Sequence, residues 1–200
     1  TPKQMKTAIL ITALLAFVCG CLLLMLAFQQ INIRFTLYLL LGIACIGAAL
    51  KYTMGNNPYG YKGFGDVFVF LFFGLVACCG IFYLLTHTLP SVVWLPAISI
   101  GCWSTAVLNL NNLRDIDTDK DAGKITIPVR LGLKRGLIYH YGLLLAAYGA
   151  DLFYAVLQKN YLLQVVLLML AMAGYRVFRP LFYNPLHEEL DKQLKKTALF

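Results

Sequence analysis

The sequence predicts an all-α fold of the membrane kind, a polytopic helical bundle embedded in a lipid bilayer, and three observations predict it. The 200-residue chain is 60% hydrophobic with only 13% charged residues, about half the charge of an ordinary soluble domain, and its mean hydropathy is +0.73. Six apolar stretches, about 7–28, 35–53, 65–86, 91–110, 134–157 and 161–178, each approach the roughly 20 residues that a spanning helix needs. The cations are also one-sided. If all six stretches cross, every one of the seventeen Lys and Arg except Arg34 and Lys159 falls beside the N-terminus, the 54–64 connection, the 111–136 connection or the tail. Such a bias places both ends and the long loops in the cytoplasm.

Taken in order, the first stretch follows Lys3 and Lys6 directly as a full-length span, unlike a cleavable signal peptide, and the chain has no initiator Met. A piece of a longer protein is therefore expected. The second, third and fifth stretches carry Tyr38, Gly74, His140 and Asp151, residues expected where helices pack on one another rather than stand alone in lipid. No linker, repeat or low-complexity tract divides the chain, so residues 1–200 read as a single transmembrane domain. All six cysteines fall in the apolar spans without a CxxC or a His at metal spacing, and they read as small buried apolar groups. The net charge of +8 is explained by topology and by attraction to anionic lipid, with no nucleic acid required.

Charge is concentrated where the fourth stretch leaves the membrane. "DIDTDKD", residues 115–121, holds four of the nine acidic residues at alternate positions. If the helix runs on into the headgroups, Asn111, Asp115 and Asp119 share one face, and Asp117 and Asp121 share another. A solvated acidic turn is one reading. An EF-hand-like calcium loop fits Asp115, Asp117 and Asp119, then fails at Lys120, where Gly is needed, and at Thr126, where a bidentate Glu is needed. The third reading is a Mg²⁺–diphosphate site. It carries most weight because Mg²⁺ takes one or two carboxylates and shares its shell with phosphates, while Lys124 and Arg130 in the same connection offer phosphate a point charge and a fork.

The other cytoplasmic connection, "KYTMGNNPYGYKGFGDVF" (51–68), combines Gly, Asn and Pro with three tyrosines, a composition for folding back over a cavity. It is either a plain cap or a substrate wall. In the second case Tyr52, Tyr59 and Tyr61 stack on a ring, Lys62 attracts an anion, and Asp66 accepts a proton or hydrogen bond.

Together these two connections, "YTMGNNPYGYKGFGDVFVFLFFG" (52–74) and "AVLNLNNLRDIDTDKDAGKITIPVRLG" (106–132), resemble the UbiA family of membrane prenyltransferases, and within it the bacterial branch acting on 1,4-dihydroxy-2-naphthoate. The resemblance implies a UbiA-type bundle of about nine transmembrane helices, about six of which are present here, in the bacterial cytoplasmic (inner) membrane. It implies a D-x-x-x-D motif at Asp115 and Asp119 as metal ligands, with Lys124 and Arg130 as further catalytic residues. Asn111, Asn112, Arg114, Tyr52, Tyr61, Lys62 and Asp66 would bind substrate. The family's first aspartate motif is absent, because no acidic residue precedes Asp66. The implied reaction is Mg²⁺-dependent transfer of a polyprenyl group from polyprenyl diphosphate to 1,4-dihydroxy-2-naphthoate with decarboxylation, giving demethylmenaquinol for menaquinone synthesis; it is expected of the complete enzyme. Alternatives are a UbiA-type enzyme for another acceptor (4-hydroxybenzoate, a haem or a chlorophyll precursor) and a small transporter with an acidic cation entry. Asp117 and Asp121 read as solvated or capping residues, and His140 and Asp151 as packed polar groups. His87 and His187 receive no role.

Overall fold

The computed structural model describes residues 1–55, 58–183, 190–192 and 194–195, without the side chains of residues 2, 53, 177, 178 and 180–183. Among them the chain is helical throughout: α1 (Pro2–Phe28), α2 (Ile33–Thr53), α3 (Gly65–Thr86), α4 (Trp94–Arg114), α5 (Ile116–Asp121), α6 (Ile127–Leu157) and α7 (Tyr161–Tyr183). Five spans are long and apolar enough to cross a bilayer: Lys3–Phe28, Ile33–Tyr52, Gly65–Thr86, Ser91–Arg114 and Ile127–Leu157. They mark an integral membrane protein. The sixth apolar stretch forms α7, whose described apolar part, Tyr161–Arg176, is shorter than the other five. His187 lies outside the described residues, as do Asn56 and Asn57 of the 54–64 connection.

The chain reverses between spans by local chemistry. Gln29 takes a left-handed conformation (φ 55°) to end α1, and the Asn32 side chain accepts the Phe35 amide at 3.0 Å to start α2. α3 ends at His87 (φ 54°), and Pro90 leads into the 3₁₀ turn Ser91–Val93 before α4.

Helix α4 is the centre of the bundle, with α3 on one side and α6 on the other. Against α3 the approach is made by glycine. A Cβ added at Gly74 would lie 2.6 Å from Gly101 Cα and 2.7 Å from the Ala97 carbonyl, and one added at Gly101 would lie 2.8 Å from the Phe70 ring. Small residues at both positions let the backbones touch, the usual basis of helix association in lipid. Over Phe70–Cys79, facing this contact, α3 is wound as a π-helix, a wider turn than a regular helix and rarely this long.

Against α6 the seam mixes apolar and polar groups. Leu110, Leu113 and Leu137 form a core at the end of the bundle that carries the long connections, closed by Leu190 from the tail, and Ala106 meets Leu144 further along. Asn109, fully buried, donates to the Gly136 carbonyl at 3.1 Å, and Ser99 donates to Asp151 at 2.7 Å. These bonds satisfy groups that would cost several kcal/mol bare in hydrocarbon, of order 4–8 for a transfer to alkane.

The 111–136 connection, expected as a loop, is mostly helical. α4 runs to Arg114, α5 adds a short helix, and α6 starts at Ile127 with Thr126 capping the Val129 amide at 3.4 Å. Gly132 then breaks α6 with φ 76°, ψ 165°. The span predicted from about residue 134 is the part of α6 beyond that break.

Candidate active site

The two polar connections, 54–64 and 111–136, lie against each other. The Ile125 amide donates to the Tyr61 carbonyl at 2.8 Å, and Arg130 Nη2 donates to the Lys62 carbonyl at 2.7 Å. Gly63 sits between them at φ 82°, and a Cβ there would come within 2.8 Å of the Ile125 carbonyl. That close approach and the positive φ both demand glycine. The side chains of Tyr61 and Lys62 remain exposed, so this region contributes backbone to the clasp and leaves its polar ends in solvent.

Asp115 occupies the break between α4 and α5 (φ −94°, ψ 15°). Its carboxylate meets Arg114 in a two-pronged pair, Nε to Oδ1 at 2.7 Å and Nη2 to Oδ2 at 2.8 Å. Arg114 also donates to Asn111 Oδ1 at 2.7 Å and to Asp191 at 3.5 Å. One turn on, the Asp119 amide donates to the Asp115 carbonyl at 2.7 Å, which places the two carboxylates on successive turns. Asp119 is buried, and Lys124 Nζ holds both of its oxygens, at 3.1 and 2.9 Å. A turn through Gly123 (φ 71°) and a bond from the Lys124 amide to the Asp119 carbonyl at 2.8 Å bring that lysine back. Asn112 is buried beside them, whereas Asp117 and Asp121 are exposed.

Inside this rim lies Tyr52, at the end of α2. Its hydroxyl stands within electrostatic reach of Lys124, Asp66 and Asp119, and the missing side chains of Gly60 and Gly65 make room for it, since a Cβ at Gly65 would be 3.3 Å from that hydroxyl. Asp66, at the start of α3, is only 4% exposed. Tyr139 of α6 donates to its carboxylate, and Thr105 of α4 donates to its carbonyl at 3.4 Å. Its Oδ2 is buried without a hydrogen-bond partner among the described residues. Thus α2, α3, α4 and α6 converge on one polar cluster.

On the other face of Tyr52 an apolar groove of about 480 Å³ runs between α2 and α3, lined by Cys45, Ala49, Tyr52, Tyr59, Phe68 and Phe72 among others. Tyr59 stacks on Phe68 with ring centroids 4.0 Å apart, and its hydroxyl donates to the Ala48 carbonyl at 2.9 Å. Burial, and then the neighbouring Tyr52, pushes the Tyr59 hydroxyl above its ordinary pKa.

Among the described residues no three His, Cys, Asp or Glu side chains gather into a metal-binding group. Asp115 and Asp119 nevertheless suit Mg²⁺. They supply two hard oxygen donors a turn apart, and this ion is usually held by one or two protein carboxylates with phosphate and water completing its shell. Tyr139 was not anticipated from sequence.

The model of the UbiA prenyltransferase family matches residues 1–191. The chain is 42% identical over 180 residues to a 1,4-dihydroxy-2-naphthoate octaprenyltransferase of Haemophilus influenzae, covering 88% of this chain and 58% of that protein. It is 44% identical to the protein of that name in Escherichia coli, covering 74% and 47%, and 34% identical to that in Mycobacterium leprae, covering 99% and 64%. The chain thus spans about half to two-thirds of the length of these relatives. No solved structure matches it.

Proposed function

The chain belongs to the UbiA prenyltransferase family, and from that premise we propose that it forms the second half-site of a Mg²⁺-dependent polyprenyltransferase of the bacterial cytoplasmic membrane. The donor is a polyprenyl diphosphate. The acceptor is 1,4-dihydroxy-2-naphthoate, the compound in the names of its bacterial relatives. The product of prenylation with decarboxylation is demethylmenaquinol, and both ends of the chain face the cytoplasm.

The observation that carries this reading is the convergence of Asp119, Lys124, Tyr52 and Asp66 at the membrane surface, beside an aromatic groove between α2 and α3. Asp115 and Asp119 would hold Mg²⁺, which when bound neutralises the charge on the leaving diphosphate. Lys124 carries further donor hydrogens than those it gives Asp119, and Arg130 has N–H groups beyond the one on the Lys62 carbonyl. Both are therefore equipped to bind phosphate oxygens while keeping the loops together. Asn111 and Asn112 with Arg114 fix the Asp115 side of the rim, and Tyr61 and Lys62 form its outer lip. As diphosphate departs, the allylic carbon develops positive charge that the faces of Tyr52, Tyr59 and Phe68 stabilise. The groove continues from Tyr52 towards lipid and suits the prenyl tail.

Membranes containing the full-length protein, given polyprenyl diphosphate and Mg²⁺, are expected to release diphosphate only when the naphthoate is present, in step with prenylated product. Release without an acceptor, or none under any condition, would overturn the reading.

A further inference from the structure

The buried carboxylate of Asp66 is the one acidic group in the site whose geometry is not explained by metal or diphosphate. It is 4% exposed, the Tyr139 hydroxyl stands beside its carboxylate, and Oδ2 has no hydrogen-bond partner among the described residues. A bare acceptor in such a place costs about 1–3 kcal/mol, more when charged, unless a ligand satisfies it. Asp66 does not join Asp115 and Asp119 in a three-carboxylate cluster, which argues against a third metal ligand. A carboxylate oxygen accepts and does not donate, so its natural partner is an O–H or N–H group. Of the two substrates proposed above, the ionised diphosphate brings only acceptors. The dihydroxynaphthoate brings phenolic hydroxyls.

We propose that Asp66 Oδ2 accepts the hydrogen bond of one ring hydroxyl of the aromatic acceptor, and that Tyr139 is the positioning residue that aims it. This inference rests on the function proposed above and assigns the acceptor's place within it. The hydroxyl then enters between Tyr52 and Asp66, with the ring alongside the Tyr52 hydroxyl and the Asp119–Lys124 pair ahead of it. The bond does two things. It draws the O–H bond electrons towards oxygen, which enriches the ring carbon that attacks the allylic centre. It also repels the acceptor's own carboxylate, so that the ring docks by its hydroxyl edge. No proton changes owner: a C–C bond forms at the ring carbon that bears the carboxylate as the allylic C–O bond breaks and diphosphate leaves, and that carbon's bond to the carboxylate then breaks, its electron pair restoring the ring and carbon dioxide departing.

The test uses the full-length protein and two acceptors, the dihydroxynaphthoate and its methyl ethers, which lack the donor hydrogen. The parent protein is expected to prefer the hydroxyl form by roughly ten- to hundredfold in kcat/KM, the worth of one charge-assisted bond. Asp66→Asn should cut that preference about tenfold, and Tyr139→Phe should cut it by a smaller factor, through the acceptor's KM. The KM for polyprenyl diphosphate and the affinity for Mn²⁺, read by its spin signal, should stay as in the parent. Full preference retained in both variants would overturn the inference, as would a loss that falls on diphosphate or Mn²⁺. Tyr139→Phe keeps the ring in place, so it carries the test if Asp66→Asn fails to fold. A parent protein that prenylates neither acceptor would overturn the proposed function itself, an outcome distinct from equal use of both.

Discussion

Helix α1 has the highest mean hydropathy of the five spans, 2.9, and α4 reaches only 1.6, yet it is α4 that forms the core. Along α1 nearly every large side chain is exposed, with Leu14 at 63% and Leu26 at 79%, whereas Ala97, Ala106, Asn109, Leu110 and Leu113 of α4 are fully covered. In water this order would be reversed. In a bilayer lipid tails solvate leucine as well as other leucines do, so apolar surface gains little from meeting protein. Association comes instead from small residues that let backbones close and from polar groups that have no other partner. α4 carries both kinds, in Gly101 and Ala97 on one face and in Ser99, Thr105 and Asn109 on others, and it ends in the aspartate motif. Its lower hydropathy is the signature of its work.

Four substitutions test that contrast, from the largest expected effect to the smallest. Asp119→Asn, in the short helix α5 that follows α4, should lower prenyl transfer in the full-length protein by about 10²–10³-fold, the scale of removing one preorganised charge. The assay is product formation in membranes, with the amount of folded protein measured alongside. Gly101→Val places side chain where α3 already touches, and overpacking of this kind costs about 1–3 kcal/mol. A lowered thermal midpoint in detergent checks it. Lys124→Met frees Asp119 from its ion pair, so Mn²⁺ should bind about two- to fivefold more tightly without prenyl diphosphate, the range of a partly exposed pair, while diphosphate itself binds more weakly. Equilibrium titration of both ligands reads this. Leu14→Ala on α1 should change stability by less than about 0.5 kcal/mol. A large loss there would mean that α1 faces protein rather than lipid.

Much of the fold was legible because lipid imposes a coarse rule that every span must satisfy. Among the described residues five of the six apolar stretches form helices long and apolar enough to span, and even the predicted start near residue 134 marks the point where α6 resumes after Gly132. What escaped is geometry that leaves no periodic trace. Nothing in "FLFFGLVACC" distinguishes a π-wound segment from an ordinary helix, because all ten residues are apolar or glycine. The candidate site was legible as a gathering of residue types and less so by pairing. Composition brought Lys124 and Arg130 forward as phosphate groups, and the structure gives each a protein partner as well, Asp119 and the Lys62 carbonyl. Tyr139 escaped because one tyrosine in an apolar helix carries no signal until the Asp66 carboxylate is seen opposite it.

The clasp between the two polar connections has a kinetic side. With Ile125 bonded to Tyr61, Arg130 bonded to Lys62, and Gly63 pressed on the Ile125 carbonyl, neither segment can lift alone without breaking the other's hydrogen bonds. The Ile125 amide is therefore expected to resist exchange with heavy water until the two segments separate, and Arg130→Met, which removes the second bond, should speed that exchange.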